Sequence, residues 1–183
     1  MRIASRSFEL AHFLALVSAL CPLVTRAAAP HAAPPARTAQ EQPKPTIDEA
    51  RRRAEILHEA MHATLQVVHL QYFREDEGLA IPAATLRSVF RELGRRQGVE
   101  LRWLSVNAQA MNTDHQPQSD FEKAAAEKIA AGAASHEQTT GGTYRRVGAV
   151  ALESECLKCH LPTRTDTRPR AAGLLISMPV ATD

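Results

Sequence analysis

Cysteine is scarce in this chain. The 183 residues hold three, Cys21, Cys156 and Cys159, too few for a disulfide framework to carry the fold. The apolar run from Leu10 to Val24, interrupted by His12, is about 15 residues long, short of the ~20 a membrane-spanning helix requires. Aromatic residues make up 4%, and 22 Lys and Arg against 20 Asp and Glu leave a formal net charge of +2. Neither a stacking surface nor a basic field speaks for nucleic-acid binding. There is no internal repeat, and no acid/base pair of defined spacing, so an enzyme is not expected.

The first segment, 1–27, has the order of a secretory signal peptide: Arg2 and Arg6, the apolar run, then Thr25-Arg26-Ala27-Ala28-Ala29 as a small-residue cleavage zone. Cleavage after Ala27 is expected, with an uncleaved segment or a lipid anchor at Cys21 as the alternative; cleavage places the mature chain in the periplasm or outside the cell, peripheral to a membrane at most. It takes away three positive charges and one negative, so the formal balance falls from +2 to 0, and Cys21 leaves with it. Residues 28–45 carry Pro30, Pro34, Pro35, Pro43 and Pro45 among Ala, Gln and Thr, a composition expected to remain an extended, solvated tether. The domain is expected over 46–183.

The two thiols that remain stand in Cys156-Leu157-Lys158-Cys159-His160. C-x-x-C-H is the pattern that attaches a c-type haem: each thiol adds to a vinyl group of the porphyrin, and the adjacent imidazole reaches the iron as proximal ligand. Zinc would want a further ligand pair, and none follows His160 at short spacing. A thioredoxin-like pair does not need the trailing histidine. A plain disulfide between Cys156 and Cys159 remains open in an exported chain.

Thr46-Ile47-Asp48-Glu49 reads as a capping box. From there to Tyr72, Ile47, Ala50, Ala54, Leu57, Met61, Leu65 and Val68 recur at three and four, the period of a long amphipathic helix. His58, His62 and His69 fall in one arc beside that stripe. They and Met61 are candidates for the distal iron position, with half-buried or core roles as the alternative; Met111, His115 and Met178 stay open.

Pro82 opens a second helix with Leu86, Val89, Phe90 and Leu93, before Gly98. Val99 to Val106 reads as a strand, Asn107 to Gln118 as a polar loop, and Ser119-Asp120-Phe121-Glu122 as a capping box opening a short helix that Gly132 stops. Gly141-Gly142 introduces a β-rich stretch, Thr143 to Leu152, that runs into the haem motif. A basic loop and a closing strand, Gly173 to Val180, follow. Arg145, Arg146, Arg164 and Arg168 are candidates to pair with haem propionates, or else form a solvated basic face.

The long first helix, the strand ending near Ser105, Phe121-Glu122, Thr143-Tyr144-Arg145-Arg146, the C-x-x-C-H motif and Gly173-Leu174-Leu175-Ile176 together resemble the Tll0287-like family over most of residues 50–180. The resemblance implies an α+β, PAS-like fold, a small antiparallel sheet flanked by helices, carrying one covalent haem c. Of the family's Arg-Asn-Pro-x-Asn-x-Pro run and aromatic-Glu pair, this chain keeps Asn112, Pro117, Phe121 and Glu122. Where the family often has a cysteine after Ala-Ile, a plausible distal ligand, this chain has Pro82-Ala83-Ala84 after Ala80-Ile81. The sixth ligand is then expected to be His, Met, water or nothing.

The function expected is an exported monohaem c-type protein serving redox sensing or one-electron transfer. A distal position left open would instead suit a gas sensor. The alternative of another class is a haem-free exported protein with a Cys156–Cys159 thiol or disulfide. No kinase or cyclase region accompanies the domain, so a redox or signalling protein partner is expected to read its state.

Overall fold

The structure is a computed structural model, and it describes residues 43–108 and 110–182. The signal peptide expected over 1–27 and all but the end of the expected tether lie outside the described residues. Pro45, the last residue of that tether, is buried, and its carbonyl accepts a 2.9 Å hydrogen bond from the Ala181 amide. The chain is therefore fixed to the domain ahead of the first helix.

The elements run α1 (Ile47–Gln71), α2 (Pro82–Gln97), β1 (Glu100–Ser105), α3 (Asp120–Ala130), β2 (Ser135–Thr140), β3 (Thr143–Ala151), α4 (Ser154–His160) and β4 (Ala171–Pro179). The four strands form one antiparallel sheet in the order β1-β4-β3-β2. This is the α+β fold expected, a small antiparallel sheet flanked by helices. The last strand occupies the interior of the sheet, so β1 stays unpaired until the chain is almost complete.

Strand alternation divides the core in two. Trp103, Tyr144, Val150, Leu174, Ile176 and Met178 face α1 and α2, where they meet Ala50, Ala54, Leu86 and Phe90. Leu104, Val147 and Leu175 face the other way and pack on Phe121, Ala125 and Ile129 of α3. Ala50 and Ala54 are fully buried. Their short side chains let α1 approach the sheet closely.

Both expected capping boxes start helices, but they differ. At α3 the box is reciprocal: Ser119 accepts from the Glu122 amide, and Glu122 accepts from the Ser119 amide. At α1 only half forms. Thr46 accepts from the Glu49 amide at 3.2 Å, while the Glu49 carboxylate turns outward to pair with Arg53. Gly141 and Gly142, at φ 58° and 72°, make the tight β2–β3 turn, a backbone region that other residues adopt at a cost. The loop expected over Asn107–Gln118 contains a 3₁₀ turn at Thr113–His115.

Candidate functional site

The C-x-x-C-H residues form a helix. In α4, Cys156, Cys159 and His160 stand at i, i+3 and i+4, which puts both sulfurs and the imidazole on one side. Leu157, between them in sequence, is buried and fastens the helix to the domain. Cys156 is half-buried and Cys159 exposed, and both are free thiols. Burial foremost pushes the Cys156 thiol above its ordinary pKa, against backbone hydrogen bonds at Glu153 and Cys156 that lower it, while the charges of Glu153 and Glu155 add a smaller rise. Thiol–disulfide exchange nucleophiles are shifted the other way.

The motif lies in an excursion between two paired strands. Ala151 opposes Ala171 in the β3–β4 ladder, and the Leu152 amide donates to Arg170 O at 2.9 Å, closing its base. Along the return path Asp166 accepts from Arg168 and Arg170 and ties the basic loop to itself.

Beside α4 lies an apolar cleft of about 70 Å³, walled by Leu65 of α1, Ala83 of α2, Trp103, Val106, Val150 and Leu152, among others. His160 lines it, and so does His115 from the 3₁₀ turn. Trp103 and His115 also wall a neighbouring hollow of about 630 Å³, where Arg87, Arg91, Arg102 and Arg145 gather. Burial, then Arg87 and Arg102, hold the His115 imidazole below its ordinary pKa.

The turn that carries His115 is built onto the edge strand. Arg102 Nη1 donates to the carbonyls of Asp114 at 2.7 Å and Gln116 at 3.4 Å, the residues on either side of His115. Asn112 Oδ1 accepts from the Asp114 amide at 2.9 Å. Arg102 is held in turn by Glu122, at 2.6 Å. Burial alone would raise the Glu122 pKa, but Arg102 and the amides of Gln118 and Ser119 hold it below its ordinary value. Asn112 and Glu122, two of the residues that carry the family resemblance, thus both serve the placement of one turn.

The structure places the other candidates elsewhere. His58 is buried with its ring over Gly148 of β3, and His62 packs edge-on to it at 5.8 Å between ring centroids. His58 Nδ1 and His62 Nε2 are buried without a hydrogen-bond partner among the described residues. His69 stacks near Phe73, Met61 packs on the α1–α2 core, Met178 is inside that core and Met111 is largely exposed. None of these lines the cleft beside His160. The arginines are equally dispersed. Arg145 faces the larger hollow on one side of the sheet, Arg146 lies by His58 on the other, Arg164 is exposed and Arg168 is engaged by Asp166.

A covalent haem needs two thiols and an imidazole at this spacing, and those donors are together on one side of α4. At about 70 Å³ the cleft is smaller than the ~300 Å³ of compact ligand pockets, while the adjoining hollow exceeds that size. Trp103 and His115 line both. Among the described residues no group of three or more His, Cys, Asp and Glu side chains could hold a metal ion unaided.

The family model described as Tll0287-like matches residues 40–173. The chain belongs to the Tll0287-like family. No curated protein matches it. Among solved structures it is similar to the crystal structure of the cyanobacterial heme-protein Tll0287, at 13% identity and a TM-score of 0.53, covering 75% of this chain and 96% of that one. At that identity the likeness concerns the fold: this Tll0287-like chain shares the sheet and helices of its neighbour. At Ala83, next to where the resemblance implies a cysteine in other members, the present chain contributes a methyl group to the cleft.

Proposed function

We propose that this protein is an exported monohaem c-type protein that senses redox state or transfers single electrons, and is not an enzyme. The observation that carries the reading is the side of α4 that Cys156, Cys159 and His160 share, with His160 lining an apolar cleft. Each thiol would add across one vinyl group, sulfur bonding to one carbon and hydrogen to the other, so attachment consumes no oxidant. Bound there, the haem supplies a one-electron iron couple. The chain's own part is to fix the porphyrin at two points, present the His160 imidazole and surround it with apolar side chains that limit water. The relation to a cyanobacterial haem protein supports haem binding, and the motif supports covalent attachment. A soluble redox or signalling protein outside the cytoplasm is the partner that such a carrier requires.

Mass spectrometry of the full-length chain, made in a host that matures c-type haem, tests this. One haem mass on the processed chain is expected, lost in the Cys156→Ser/Cys159→Ser double variant. A chain two hydrogens lighter than the free dithiol, with no haem while a control cytochrome matures, would establish the disulfide reading instead.

A further inference from the structure

We infer that His115 is the second axial ligand of the iron, on the side away from His160. This rests on the haem reading above and goes beyond it, because the sixth ligand decides whether the iron is closed or open to small molecules.

Three observations converge. First, of the described side chains that wall the cleft beside α4, His115 and His160 are the two that offer a nitrogen or sulfur suited to iron; Trp103 commits its indole N–H to the Ala83 carbonyl at 2.9 Å. Second, the position of His115 is built rather than incidental. Arg102 grips the carbonyls before and after it, Asn112 closes the turn from within, and Glu122 holds Arg102. The backbone is thus fixed on both sides of a residue whose ring makes no hydrogen bond to any described residue. A half-buried imidazole with both nitrogens uncommitted is in the state that ligation requires. Third, His58 of α1 lies against Gly148, with no space for a porphyrin between them, and neither His62 nor His69 lines the cleft.

The two ligands come from separate parts of the chain, α4 and the turn after β1. Binding would tie these two parts of the chain to one iron. An iron with imidazoles on both sides exchanges ligands poorly and keeps its coordination in both oxidation states, which suits electron transfer or redox sensing over gas binding.

The test uses the full-length chain loaded with haem, examined by absorption and electron paramagnetic resonance. The wild type is expected to be low-spin when oxidised and indifferent to carbon monoxide when reduced. His115→Ala is expected to become high-spin and to bind carbon monoxide, with the low-spin spectrum restored by added imidazole. His115→Met is expected to remain six-coordinate with a raised potential, which covers the case of an alanine variant that folds poorly. His58→Ala and His62→Ala are expected to leave the spectrum unchanged. A haem-bearing His115→Ala that stays low-spin and inert to carbon monoxide overturns the assignment alone. A wild type with no haem mass overturns the haem reading and the assignment together.

Discussion

Two pairs of histidines sit in different physical settings. His58 and His62 are four residues apart on one helix, and α1 presses them onto the sheet until His58 is 6% exposed. His115 and His160 are 45 positions apart in the chain, half-buried, and meet at a cleft. Helical spacing says only that two side chains share a face. Which face turns to the sheet is decided by the small residues that let the helix approach. Here Ala50 and Ala54 set the approach of α1, and His58, one turn on, inherits it. The second pair has no periodic signature, because a β-strand, a turn and a covalent motif bring it together.

The largest expected effect breaks the closed pair. A Cβ built on Gly148 would stand 2.0 Å from His58 Nδ1 and 2.8 Å from an Arg146 nitrogen. Arg146 can move its tip aside. The His58 ring, wedged between α1 and β3, cannot do so without moving the helix. Gly148→Ala should therefore cost about 1–3 kcal/mol, the usual range for forcing atoms into a packed core, read as a lowered urea midpoint at constant m-value. In a His58→Ala background the same substitution should cost little, a coupling that a double-mutant cycle measures. Additive costs would mean that the ring does not rest on Gly148.

The cleft pair is broken more gently. Glu122→Gln keeps an acceptor for the amides of Gln118 and Ser119 and removes the charge opposite Arg102, whose side chain is 27% exposed. A loss of about 1 kcal/mol is expected in denaturant melts. A loss as large as that from Gly148→Ala would show the edge of β1 to be as tightly packed as the sheet face under α1.

Much of the fold could be read from the sequence, and the exceptions have causes. α1 and α2 have long apolar periods, α3 has its cap and Gly132, and β3 and β4 are rich in branched residues, so each declares itself locally. β2 does not: Ser-His-Glu-Gln-Thr-Thr contains no apolar residue, because an edge strand takes its stability from the ladder to β3 and from bonds such as Tyr144 Oη donating to Glu137 at 2.6 Å. The proximal half of the candidate site was legible because its chemistry is encoded in five consecutive residues. Its distal half was not, since Arg102, Asn112 and Glu122 act on His115 through backbone carbonyls and side-chain pairing. No periodicity records such contacts. An arginine on an edge strand followed by a turn with a capping Asn is the faint signal that was available.

The smallest effect sharpens the contrast through pH. Burial foremost, then Arg146, with a smaller part from His62 and against the pull of Glu59, hold His58 below its ordinary pKa of 6.5. Above that value the ring is neutral in folded and unfolded chains, and contributes nothing to a pH dependence. As pH falls below it, the unfolded chain takes up a proton that the folded one refuses, so stability falls; the fall ends once pH passes the depressed folded value. One such proton gives at most about 1.4 kcal/mol per pH unit. Urea midpoints at pH 7.5, 6.5 and 5.5 should therefore decline less steeply in His58→Gln than in the wild type. His136, also depressed by burial, contributes to the decline that remains. Parallel curves for the two proteins would mean that His58 reaches water, and the distinction between a closed pair and an open one would rest on the cleft alone.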